Sequence, residues 1–182
     1  MGYATDLIHD RNNQRCYPVF LTPVSPMAMQ EIEILLKALK DPDEEVRSDA
    51  TQALWQIWFA QKGAAGLQTL RRAQVLLESG EATEAEAVLS ELIEQLPDFA
   101  EAWNRRAVLY FVQQQYRKAI ADCRKTIELN PIHFGAWHGL GLSYAALGEY
   151  RDAIAAFRQA LEIQPYAIEN QRLILECTAK LS

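Results

Sequence analysis

The chain is poor in what most chemistry needs. Its 182 residues include three cysteines, three histidines and no excess of positive charge. Cys16, Cys123 and Cys177 lie far apart, form no Cys-x-x-Cys pair and are odd in number. A disulfide framework does not fit, and a reducing compartment is expected. His133 and His138 have no Cys, His or Asp partner at zinc spacing, so no metal site is predicted. No glycine-rich loop is placed to cradle a phosphate, because Gly139 and Gly141 fall inside a helical pattern. No Ser-His-Asp or Cys-His pairing is suggested, and no cofactor is predicted. The net charge of −6 argues against general nucleic-acid binding, which needs a basic face, while leaving room for a local basic patch. No apolar run approaches the roughly 20 residues that span a bilayer. The first residues lack a basic region followed by an apolar run, so a secretory signal is not expected and a cytoplasmic location is, or a plastid if the source is a plant.

What the chain does have is a period. Trp137, Leu140, Gly141, Tyr144, Gly148, Tyr150, Ala153, Phe157, Ala160 and Pro165 form one helical hairpin. Thirty-four residues earlier, Trp103, Tyr110, Tyr116, Ala119 and Pro131 occupy the same places, and a further step back finds Gly80, Ala85, Leu92 and Pro97. Small residues such as Ala107, Gly141, Ala119 and Ala153 let paired helices approach, and each proline closes a second helix. A period of 34 with Trp-x-x-Leu-Gly-x-x-Tyr in its third copy resembles the tetratricopeptide repeat family. The copies depart from the pattern at Thr69 and Leu76 in the first, and at Gln114 and Thr126 in the second.

The resemblance implies an all-α, right-handed superhelix of three repeats at 66–99, 100–133 and 134–165, closed by a capping helix at 168–182. Leu173, Ile174 and Cys177 are read as the inner face of that cap, and Cys123 as core. Ahead of the array, 27–62 reads as a helix pair broken at Asp41, Pro42 and Asp43, with Pro42 in the first turn of the second helix. Val46, Ala50, Ala53, Leu54 and Ile57 make its core stripe. The string LLKALKDPDEEVRSDATQALWQI resembles a HEAT-type repeat. A single pair cannot close its own core, so Trp55, Trp58 and Phe59 are expected to join it to the array. The aromatic cluster could alternatively face a partner. Residues 62–66 read as a breaker. Residues 1–26 show neither a helical nor a strand period and read as an irregular, partly disordered arm, with the apolar run 17–21 either lying on the helix pair or part of a flexible leader.

In the family, the first helix of each hairpin lines the concave side, where ligand peptides lie. Carried onto this register, the groove falls to Arg71, Gln74, Asn104, Arg105, Val108, Phe111, His138, Leu142 and Arg172. Asn104, His138 and Arg172 are spaced by 34 and predict one stripe, and Arg71 and Arg105 a second. Arginine forks bind carboxylates bidentately, so an acidic or C-terminal segment is the expected ligand. His133 reads as a loop residue. The carboxylate clamp of the family's chaperone-binding branch is absent, since its places carry Leu70, Gln74, Arg105, Gly135 and Gly139. The reading is a non-catalytic scaffold or adaptor that holds a peptide or protein segment, with assembly as its setting. The alternative is a structural subunit that docks a larger complex or a second copy through its aromatic N-terminal end.

Overall fold

The computed structural model describes residues 7–9, 16–18 and 26–182. Leu7–His9 (β1) pairs antiparallel with Cys16–Pro18 (β2), with Ile8 opposite Tyr17, where the sequence showed no strand period. The packing expected of 17–21 lies outside the described residues. Among the described residues nine helices follow: α1 (Pro26–Ala38), α2 (Glu44–Ala60), α3 (Gly63–Glu78), α4 (Ala82–Gln95), α5 (Ala100–Val112), α6 (Tyr116–Leu129), α7 (Phe134–Ala146), α8 (Tyr150–Ile163) and α9 (Ile168–Ala179). The period is thus three hairpins, α3–α4, α5–α6 and α7–α8, with α9 as an unpaired first helix packed on α8, and residues 26–182 form an all-α superhelix.

Each boundary has a local cause. Asp43 caps α2 by accepting the Glu45 amide at 2.8 Å, and Glu44 and Glu45 complement the helix's positive end. Pro42 therefore lies outside the helix, before the cap, rather than in its first turn. The stretch 62–66 is not a breaker throughout. Only Lys62 of this stretch lies outside a helix; Gly63 opens α3 at φ +68°, and the helix runs on through Gly66 against Phe99. The three hairpin turns pass through the left-handed region at Gly80 (φ 81°), Gln114 (φ 60°) and Gly148 (φ 76°), one per repeat.

Packing repeats with the same period. Ala73 and Leu89 share one core cluster, Ala107 and Cys123 the next, and Gly141 lies against Phe157, each position 34 residues after its counterpart. In the third repeat the approach is close: a Cβ on Gly141 would stand 2.4 Å from the fully buried Phe157 ring. Trp103 and Trp137 donate their indole N–H to the carbonyls of Pro97 and Pro131 at 3.0 and 2.9 Å, and Gln171 makes the same bond to Pro165 at 2.9 Å. Thr126, where a smaller residue was expected, is buried and satisfied by the Asp122 carbonyl at 2.9 Å.

The pair α1–α2 does not simply precede the array. Along α2, Phe59 meets Arg105 of α5, Trp55 meets Gly135 of α7, and Arg47 meets Tyr166 just before α9. From Phe59 to Arg47 is about 18 Å of helix. Divided over two repeat steps this is about 9 Å, the ordinary distance between packed helices. Helix α2 therefore lies as a strut across the connections between repeats, with Ala50, Leu54 and Trp58 buried beneath it and Val46 exposed instead of in the core stripe. Trp55, Trp58 and Phe59 do form the joint.

Candidate functional site

The groove was expected on one face of α3, α5, α7 and α9, and α2 crosses that face at Arg105, Gly135 and Tyr166. Near the start of α5 and α7 the groove is closed. Trp58 stacks on His133 with centroids 4.4 Å apart, and Trp55 stands edge-on to His133 and Phe134 at 5.2 and 5.4 Å. A Cβ on Gly135 would come within 2.7 Å of the Trp55 ring. The absence of a side chain there is what admits the indole.

Beneath these rings lies a buried polar network. Glu101 is fully buried and accepts from Asn104 Nδ2 at 3.3 Å, from Arg105 Nε at 2.8 Å and from His133 Nε2 at 2.9 Å. His133 is no exposed loop residue. It is fully buried and caps α7 through Nδ1, which accepts the Ala136 amide at 3.0 Å. That bond leaves Nδ1 without a proton and places the ring hydrogen on Nε2, facing Glu101. A buried carboxylate is expensive unless paired and hydrogen-bonded, and here three donors meet that need.

This network corrects the roles assigned to two groove residues. Asn104 is buried and held by Glu101 rather than exposed to a ligand. The Arg105 guanidinium is engaged by Glu101, by Gln74 Oε1 at 3.2 Å and by the Phe59 ring at 4.6 Å. His138 is half-buried, with Nδ1 bonded to Asn170 Oδ1 at 2.6 Å. Arg172 is exposed but lies between Glu169 and Glu176, the hydrogen bond to Glu169 being the main influence that raises its pKa. Arg71 is exposed with no hydrogen bond or ion pair to another described residue. The groove is therefore less basic than its arginine count suggests.

The other half of the inner face is open. Val108 is 44% and Val112 62% exposed, beside half-buried Phe111, Leu142 and Ala145. Gln74 stands at its edge and donates to Glu78 at 2.6 Å. This apolar floor, framed by Arg71 on α3 and Arg172 on α9, is the candidate site.

A second polar cluster joins α4, α5 and α6. Arg106 of α5 forms a two-pronged pair with Asp122 of α6 at 2.7 and 3.1 Å and donates to Ser90 of α4 at 3.1 Å. Tyr110 donates to Glu86 at 2.8 Å, and burial together with that bond pushes its phenol up to about 12. Burial likewise pushes the Asp122 carboxyl up against the pull of Arg106. The cluster ties α4, α5 and α6 together and faces away from the groove floor. Its signal in the sequence was a pair of charges, Arg106 and Asp122, set among small and apolar neighbours on facing helices. Cys123 is buried, with its thiol raised to about 12, and Cys177 is buried too, so neither is a nucleophile candidate. Among the described residues no cluster of His, Cys, Asp or Glu could hold a metal ion, and no helix is long and apolar enough to cross a membrane.

Comparisons with known proteins agree with this architecture. The sequence matches the tetratricopeptide repeat family at 100–133 and 135–166, and a second form of the same repeat at 68–109. A TPR repeat-containing protein of Rhizobium etli is 36% identical over 88 residues, covering 48% of this chain and 42% of that protein, so the chain spans less than half of that relative. Among solved structures, the first TPR of Spaghetti (RPAP3) bound to an HSP90 peptide superimposes with a TM-score of 0.61 at 21% identity, over 63% of this chain and 91% of that one. A MamA structure superimposes with a TM-score of 0.58 at 21% identity, over 86% of this chain and 84% of that one. The matched segments run from 68 to 166, more than half of the sequence, and on them the chain belongs to the tetratricopeptide repeat family.

Proposed function

We propose that the chain is a non-catalytic scaffold that holds a segment of another protein along the open half of its inner face. The observation that carries this is the apolar floor of Val108, Val112, Phe111 and Leu142, left exposed on a preformed frame while α2 closes the rest. A rigid surface pays little ordering cost on binding, so a few anchors suffice. Arg71 and Arg172 supply charge at the two ends. The Arg172 pairs are solvent-exposed surface pairs, weakened by screening, and an incoming carboxylate can replace them. Asn104, Arg105 and His138 support the floor from below rather than touching the ligand.

The RPAP3 domain and a TPR domain of yeast Sti1 are seen with HSP90 and Hsp70 peptides. This chain has Gly135 and Gly139 where the clamp for such peptides has cations, and Trp55 covers Gly135. Its ligand is therefore a different segment, with apolar anchors.

The test compares partners co-purified by the wild type and by a Val108→Asp/Leu142→Asp variant whose melting temperature is checked. Loss of a specific partner, with direct binding of its synthetic segment restored only by the wild type, is the expected result. Equal recovery by both proteins overturns the groove reading. The Arg105→Ala variant is unsuitable, because it strips a buried carboxylate of a donor.

A further inference from the structure

The outer faces of the second helices carry a charge pattern that the groove does not use. On α6, Arg117, Ala121 and Arg124 lie on one exposed face, at i, i+4 and i+7; on α8, Arg151, Ala155 and Arg158 repeat them 34 residues later. The two arginines of each helix stand about 10 Å apart along its axis. The exposed alanines between them leave low ground rather than bulk. Arg151 and Arg158 have no hydrogen bond or ion pair to another described residue. Arg124 donates only to the uncharged Tyr144 hydroxyl, and Arg117 pairs with Glu149 across exposed surface. Acidic residues stand at the margins, Glu149 and Asp152 at one end and Glu128 and Glu162 at the other.

Solubility alone does not call for this arrangement. The first repeat has Thr83, Ala87 and Ser90 at the same positions, and its outer face needs no arginine. Two guanidinium groups on the exposed face of each of two helices, in a chain with net charge −6, are an uneven distribution. Each free fork matches a carboxylate bidentately. We propose that the outer face of α6 and α8 is a docking surface for an acidic segment of another protein, one that presents carboxylates about two helical turns apart. A long polyanion is disfavoured, because it would extend beyond the patch over an acidic surface. A short acidic segment sees chiefly the charges within a Debye length of about 8 Å.

The proposal is independent of the groove. The probe is a labelled helical peptide with glutamates seven residues apart, and a glutamine counterpart serves as control, both followed by fluorescence anisotropy at about 0.15 M ionic strength. Arg151→Glu/Arg158→Glu is expected to weaken binding about tenfold, through two attractions turned to repulsions. Lys37→Glu/Arg72→Glu, which changes net charge equally elsewhere, is expected to leave it within about twofold, and Val108→Asp/Leu142→Asp to leave it unchanged. Melting curves establish that the variants are folded. Equal weakening by the control variant, or equal binding of the glutamine peptide, overturns the proposal. Tighter binding of a single-stranded oligonucleotide through the same arginines overturns it in favour of nucleic acid. Self-association in low-salt sedimentation, abolished by the same reversal, overturns it in favour of a second copy.

Discussion

Three residues show how the fold uses and stretches its period. Gln114 turns the second hairpin at φ 60°, where the other two repeats have glycine. A side chain in the left-handed region costs about 1 kcal/mol, so Gln114→Gly is expected to raise stability by about that much in urea unfolding. Gly141→Ala should act the other way, by about 1–3 kcal/mol, because its methyl group enters the space of a ring that has no room to move. Cys123, with its thiol raised to about 12, should resist thiol reagents at pH 8 in the native protein and react in denaturant. The same shift has a consequence for stability. Unfolded, Cys123 and Tyr110 would ionise near their ordinary values of 9 and 10, but folded they keep their protons to about 12. Unfolding then releases protons, so stability should fall as pH rises from about 9 to 12, and not below that window. Denaturant titrations at pH 8 and 10.5 check the sign.

At the scale of elements, α2 is the part with the largest effect on its neighbours. Trp58→Ala should cost about 3–5 kcal/mol and open α1–α2 to protease, since the indole is buried on His133 and Phe134. Arg105→Ala should cost about 1–3 kcal/mol by leaving Glu101 short of a donor. The helices themselves were readable, because Trp, Tyr, Gly and Ala recur every 34 residues and each marks a contact that recurs too. The aromatic joint was readable because three large rings on one short pair had to be covered. What could not be read was where that pair would lie. Local periodicity reports which face of α2 is apolar, whereas the surface that receives it depends on a missing side chain at Gly135, far along the chain from Trp55. The same limit hid the Glu101–His133 bond and made Arg105 look available. A sequence lists charges singly, and only packing reveals which of them already hold one another.

Over the whole molecule, the strut changes how the repeats behave together. Arrays of this kind contact only their neighbours and can unfold piecewise. Here α2 touches α5, α7 and the turn before α9 at once, and so couples elements that the period would leave independent. Unfolding is expected to be one transition by both far-ultraviolet circular dichroism and tryptophan fluorescence. Trp58→Ala should separate the two probes into distinct midpoints, and coincident midpoints in that variant would remove the coupling argument. The consequence is also mechanical. A helical repeat array behaves as a spring whose give accumulates at each turn between repeats, and a rod fastened across those turns carries the load in parallel with them. The chain should therefore respond to tension along its axis as a stiff beam until the Trp55 and Trp58 seats shear, and only then extend like the coil that its sequence describes.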